Sequence, residues 1–143
     1  MKKAKKTASP RIPESAIHEG IAKLLEVAAP RKVMWFHVPN GEKRDKVTAA
    51  ILKRMGTKPG IPDFLLYDTS TGYLYAMEVK AKDGHLSESQ SAWMEHFTNS
   101  PTGRYAVARS VDDAIQIMQD WWPTQTRIVA RLAPGVVQTE VEA

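Results

Sequence analysis

The middle of the chain sets two strand patterns back to back. Asp63-Phe64-Leu65-Leu66-Tyr67 and the stretch from Tyr73 to Ala81 are rich in aromatic and apolar residues. Asp68-Thr69-Ser70-Thr71-Gly72 between them is turn chemistry, so the two strands read as a β-hairpin. A hairpin forces an antiparallel pair and argues against a purely parallel, doubly wound sheet. Helical patterns surround it. One runs from Glu14 to about Ala28, with Ile17, Ile21, Leu24 and Leu25 on one face, and Pro30 ends it. Val33 to Val38 is a compact strand, stopped by the turn signal Pro39-Asn40-Gly41. A second helix is expected over Lys43–Met55, with Val47, Ile51 and Met55 inward and Gly56 as terminator. A third runs from Ser87 to about Thr98, a strand covers Tyr105–Ala108, and a last helix covers Val111–Trp122. Arg127–Leu132 reads as an edge strand. The order α-β-α-β-β-α-β-α defines a mixed α/β (α+β) domain with a central four-stranded sheet flanked by helices.

A chain of 143 residues is one domain's worth, and 43% hydrophobic with 25% charged residues is the balance of an ordinary globular protein. Residues 1–12 read as a flexible basic arm, 13–122 as the folded domain and 123–143 as a C-terminal extension. Cysteine is absent, which excludes disulfides, thiolate metal sites and a cysteine nucleophile. No apolar run approaches the ~20 residues of a membrane span, and a cytoplasmic location is the expectation. Lys2, Lys3, Lys5, Lys6 and Arg11 make the arm wholly basic, and residues 31–58 are basic as well, whereas residues 83–143 are acidic. That polarity suits a polyanion on one face. Lys43, Arg44 and Lys46, beside Asn40-Gly41, are either a phosphate-contacting loop or a solvated turn.

The chemistry sits on the hairpin. Side chains alternate along a strand, so Glu78 and Lys80 share a face with the apolar Leu74 and Ala76, while Val79 points away. An ionised pair on that buried-looking face needs compensation. Asp63 opens the neighbouring strand, and the hairpin brings its carboxylate beside that of Glu78. Both stay ionised at neutral pH only with a cation between them. Oxygen ligands of this kind select Mg2+ or Mn2+, with the Val79 backbone carbonyl as a third ligand. Lys80 then stands ready to orient an attacking water or to stabilise charge on a phosphate, which makes a hydrolytic site for nucleic-acid backbones. Gln90 has two readings. Ser87-Glu88-Ser89-Gln90 is a capping box, in which Gln90 reaches back to Ser87. Gln90 also shares a helix face with Trp93 and Phe97 and projects toward the metal site. His37 and His85 read as ordinary edge or surface residues, and Trp121-Trp122 either stacks bases or closes a core.

These residues carry a family resemblance. Met55-Gly56 through Gly60-Ile61-Pro62-Asp63-Phe64, then Met77-Glu78-Val79-Lys80-Ala81, Gly84-His85-Leu86-Ser87 and Gln90-Ser91-Ala92-Trp93 occur in the order seen in the VRR-Nuc family. That is the virus-type replication-repair nuclease branch of the PD-(D/E)XK superfamily, and the likeness spans roughly residues 14 to 120. The resemblance implies a restriction-endonuclease-like core and a metal-dependent DNA nuclease, structure-selective and serving replication, recombination or repair. It implies Asp63, Glu78 and Lys80 as the catalytic triad and Gln90 as an accessory amide. It further implies a homodimer, an origin in phage or prophage, and one more assisting group from the first helix, for which Glu14, His18 and Glu19 are the candidates. A catalytically silent nucleic-acid-binding module, or an assembly subunit of the same fold, is the competing expectation.

Overall fold

The computed structural model describes residues 11–39, 45–124, 128–130 and 139–141. Four helices and four strands alternate as α1 (Glu14–Ala28), β1 (Val33–His37), α2 (Lys46–Arg54), β2 (Phe64–Asp68), β3 (Leu74–Val79), α3 (Glu88–Asn99), β4 (Gly103–Ala108) and α4 (Val111–Trp121). The sheet order is β1-β2-β3-β4. β1 and β3 each pair antiparallel with β2, and β3 pairs parallel with β4 across the α3 connection. This is the mixed open sheet expected from the central hairpin.

Alternation along the strands divides the sheet into two faces. Val33, Phe64, Leu66, Tyr75, Met77 and Val79 point to one, where Ile17, Ile21, Leu25 and Ala28 of α1 and Ala114 and Met118 of α4 close the main core. Burying each of these isoleucines and leucines contributes about 2 kcal/mol. The opposite face carries Ala76, Glu78 and Tyr105 and is covered at the β3–β4 end by α3, whose Phe97 ring meets Tyr105 at 6.3 Å.

Asp68, 1% exposed at the end of β2, ties the sheet to the C-terminal helix. Its Oδ1 accepts from Ser70 N and Ser70 Oγ, which shapes the hairpin turn, and its Oδ2 accepts from Trp122 Nε1 at 3.1 Å and lies 3.3 Å from Lys32 Nζ. Burial alone would raise its pKa. The hydrogen bonds from Ser70, Trp122 and Lys32 outweigh that and hold the carboxyl well below its ordinary range. Trp122 is thus a core residue, its ring tilted against Tyr75 with centroids 4.5 Å apart, and closes the fold.

Three sequence expectations are corrected. The second helix starts at Lys46, not Lys43, because the Asp45 carboxylate caps it by accepting from Thr48 N at 2.7 Å. Val47, Ile51 and Met55 do not face inward: α2 has no buried residue, and these three are 70%, 43% and 78% exposed. The C-terminal strand is not an edge of the main sheet either. β5 (Ile128–Ala130) pairs antiparallel with β6 (Thr139–Val141) as a separate two-stranded ribbon. No helix among the described residues is long and apolar enough to cross a membrane.

Candidate active site

The β2–β3 register explains why two distant acids meet. Phe64 lies opposite Met77, and continuing that register one step sets Asp63 opposite Glu78 at the open end of the hairpin. Asp63 is held there by the amide of Val79, which donates to its Oδ2 at 2.8 Å. Glu78 is only 2% exposed. Burial first, then hydrogen bonding and charge repulsion from Asp63, push its carboxyl up to about 9, with Lys80 pulling the other way. No N–H or O–H among the described residues donates to its buried Oε2, and the hydrogen bond with Asp63 needs a proton on one of the two carboxyl groups. The Tyr105 hydroxyl is buried and unpartnered among the described residues, and burial, followed by the Glu78 and Asp63 charges, pushes its pKa up.

Gln90 both caps α3 and reaches Glu78. Its backbone N donates to Ser87 Oγ, and its Oε1 accepts from Ser87 N at 2.8 Å, which completes the capping box. Its Nε2 donates to Glu78 Oε1 at 3.1 Å. One amide caps α3 and anchors the glutamate, and turning it over would lose both bonds. The cap therefore fixes the side chain that orients the acid.

The approach to Asp63 is set by a close contact. Gly60 has φ +78°, and a Cβ there would lie 2.4 Å from the Ser89 carbonyl carbon and 2.7 Å from Gln90 N. Only glycine lets the Gly60-Ile61-Pro62 loop lie on the first turn of α3. Trp93 Nε1 donates to the Pro59 carbonyl at 3.0 Å and clamps the same loop.

Three contributions escaped the sequence reading. Arg109, just past β4, donates from one guanidinium nitrogen to the carbonyls of Ala81 (2.9 Å) and Gly84 (2.6 Å), pinning the loop that follows Lys80. Lys80 itself is tied into the sheet, its N donating to Ala108 O at 3.0 Å. His37, set aside as an ordinary edge residue, donates from Nδ1 to the Asp63 carbonyl at 2.7 Å. Of the first-helix candidates, His18 reaches Asp63, its Nδ1 3.8 Å from Oδ1, and the Glu14 charge bears on both His18 and Glu78. Burial, then the His37 charge, lower the His18 pKa, against the pull of Asp63, Glu14 and Glu19. Glu14 and Glu19 are exposed. Alternation in β1 places His37 on the same side as Val33 and Trp35, toward α1. That signal was available, but its meeting with His18 was not. Lys46 is exposed at the start of α2, whereas Lys43 and Arg44 lie outside the described residues.

The donor set fits a divalent cation. Asp63 and Glu78 would offer oxygen donors only, and the Glu78 Oε2, which receives no hydrogen bond from an N–H or O–H among the described residues, is a buried acceptor that a cation would satisfy.

Comparison with known proteins places the fold in a class and then in a family. A solved structure titled "VRR_NUC domain protein" matches with a TM-score of 0.61 at 18% identity, over 80% of this chain and 92% of that one. A second, titled "VRR_NUC domain", matches with a TM-score of 0.49 at 14% identity, over 76% of this chain and 97% of that one. Among curated proteins none matches. The first structure shows that the four-stranded mixed sheet with its helices is the fold of that VRR_NUC domain protein. The VRR-NUC domain family model matches residues 12–112, and the chain belongs to this family.

Proposed function

We propose that this chain is a divalent-metal-dependent nuclease that hydrolyses phosphodiester bonds in DNA. Asp63, Glu78, Lys80 and Gln90 are its working side chains, and the Val79 backbone carbonyl is a third metal ligand. One observation carries the reading: a glutamate buried beside a second carboxylate, with one oxygen held by Gln90 and no N–H or O–H among the described residues donating to the other. Such an arrangement is costly as pure architecture and is explained by a bound Mg2+ or Mn2+.

The ion supplies Lewis acidity, drawing charge from a phosphate and lowering the pKa of nearby water. The chain's own groups supply the rest. The Val79 amide holds Asp63 by Oδ2 and so sets the rotation of its carboxylate. Gln90 fixes the rotation of the Glu78 carboxylate. The Lys80 ammonium, on a loop pinned by Arg109, steadies the attacking water and the charge that gathers on the scissile phosphate.

The reading extends to a structure-selective endonuclease of replication, recombination or repair, acting in the cytoplasm. In it, residues 13–122 are the nuclease unit, 1–12 a basic arm and 123–143 an extension. Lys46, with Lys43 and Arg44, contacts DNA phosphates. A homodimer fits the exposed apolar side chains of Met34, Phe36 and Tyr67 on the outer face of β1–β2 and of Val47 and Met55 on α2, which the other described residues leave uncovered. The test is a cleavage panel on linear duplex, flapped, branched and single-stranded DNA with Mg2+ or Mn2+. Wild type is expected to cut at least one substrate, and Lys80→Ala none, with unchanged circular dichroism. Wild-type protein inert on every substrate in both metals would end the enzymatic reading.

A further inference from the structure

Asp63 faces two ways. Glu78 lies on one side of it, and on the other lie two histidines that the nuclease reading does not use. His18 projects from α1, its ring tilted over Phe64 with centroids 4.5 Å apart and edge-on to His37 at 4.4 Å. One nitrogen of His18, one of His37 and one carboxylate oxygen of Asp63 all lie within 4.8 Å of one another. All three residues are partly buried.

The hydrogen bonds around this trio suit ligation. A carbonyl can only accept, so the bond from His37 Nδ1 to Asp63 O fixes the proton on Nδ1 and leaves Nε2 with its lone pair. A metal-binding imidazole ordinarily donates its other N–H to a carbonyl or carboxylate in this way. Val79 N occupies Asp63 Oδ2, and His18 approaches Oδ1, so the two oxygens of Asp63 are directed to different neighbours. Packing of the rings on Phe64 would be served equally by phenylalanine or leucine. It does not account for two imidazoles converging on one carboxylate.

We propose that His18, His37 and Asp63 form a second cation subsite that takes a first-row transition metal such as Mn2+ and rejects Mg2+. Two imidazole nitrogens with one carboxylate make a borderline donor set. Mg2+ seeks oxygen and its own water shell, whereas Mn2+, Fe2+, Co2+ and Zn2+ accept nitrogen, with affinity generally rising along that series. The subsite deepens the proposed function, because Asp63 then serves two ions and the metal requirement of the nuclease becomes one for Mn2+ in preference to Mg2+. Its existence as a binding site, however, does not depend on cleavage.

The experiment is Mn2+ titration of the metal-free full-length chain, read by electron paramagnetic resonance for stoichiometry and by electron-spin-echo modulation for nitrogen ligation. Wild type is expected to bind two Mn2+ per chain with 14N modulation, which changes to the 15N pattern in protein grown on 15N-histidine. Calorimetry with Mg2+ is expected to show one ion per chain. His18→Phe and His37→Phe keep a ring against Phe64, and each is expected to weaken one of the two Mn2+ ions by at least about tenfold and remove the nitrogen modulation. Glu78→Gln is expected to lose the other ion and keep the modulation. Wild type that binds a single Mn2+ without nitrogen modulation, or binds none, overturns the subsite whether or not the variants fold. Two ions with nitrogen modulation but no cleavage of any DNA would overturn the nuclease reading and leave the subsite standing.

Discussion

Replacing Glu78 by glutamine removes a charge and almost no volume, so it isolates what the buried carboxylate costs the fold when no ion offsets it. The carboxyl has an ordinary value of 4.5 in the unfolded chain and is pushed up to about 9 in the folded one. Below the lower value it is neutral in both states and costs nothing. As pH rises above 4.5 the unfolded state gains by ionising while the folded state resists, so stability falls steadily until the folded group also ionises. At pH 7 the gap is two and a half units at about 1.4 kcal/mol each, an upper bound of about 3.5 kcal/mol that relaxation reduces to roughly 1–3 kcal/mol. Glutamine keeps the oxygen that accepts from Gln90 and adds an N–H to offer Asp63. For a chain of this length 1 kcal/mol moves Tm by about 3 °C, so Glu78→Gln in EDTA at pH 7 is expected to melt about 3–9 °C above wild type. The gap should close near pH 4.5. Saturating Mg2+ should invert the order: at a thousandfold excess over Kd it stabilises wild type by about 4 kcal/mol, more than the whole of that cost, and leaves the variant unchanged. Calorimetry at two pH values, with and without Mg2+, reads all of this. A variant less stable than wild type in EDTA at pH 7, or stabilised equally by Mg2+, would refute the reasoning.

Other positions make separate demands. Gly60→Ala combines a left-handed backbone with a 2.4 Å approach to the Ser89 carbonyl carbon, and should destabilise by about 3 kcal/mol or more while displacing Gln90 from Glu78; urea denaturation and the cleavage assay check the two parts. Asp68 has a depressed folded pKa, so its contribution is present above about 3.8, the ordinary value, and is lost as pH falls below it. Asp68→Asn should lower stability at pH 7 by about 2–3 kcal/mol and flatten the acid limb of the Tm–pH curve between about pH 4 and 2. Arg109→Ala frees the carbonyls of Ala81 and Gly84, so amide exchange over residues 81–86 should quicken and kcat should fall while Mg2+ affinity holds. Met55→Asp on the exposed face of α2 should leave Tm within about 0.5 kcal/mol of wild type and convert a dimer to monomer in light scattering.

What could be read from the sequence follows the range of the interactions. The hairpin, its turn and the pairing of Asp63 with Glu78 are local in sequence and governed by alternation, so they were legible. The capping box at Ser87 was equally legible, and only its treatment as an alternative to a site role was mistaken, because one amide has two ends. Asp45 followed by Thr48 was a cap signal that should have moved the start of α2 to Lys46. Apolar periodicity in α2 identified a face, but periodicity cannot tell whether the same chain supplies the surface to cover it. The proximity of His18 to His37 depends on how α1 crosses the sheet, and the grip of Arg109 depends on backbone carbonyls about 25 residues away. Neither leaves a pattern in sequence.

The central claim is that the carboxylates of Asp63 and Glu78 and the carbonyl of Val79 close around one divalent ion. Diffraction from crystals grown with Mn2+, collected on the manganese absorption edge, tests it without any assay of activity. The account predicts an anomalous peak within coordinating distance of all three groups, absent from Glu78→Gln crystals grown the same way. A Glu78 carboxyl that stays buried and ion-free, with any manganese bound elsewhere, would contradict it.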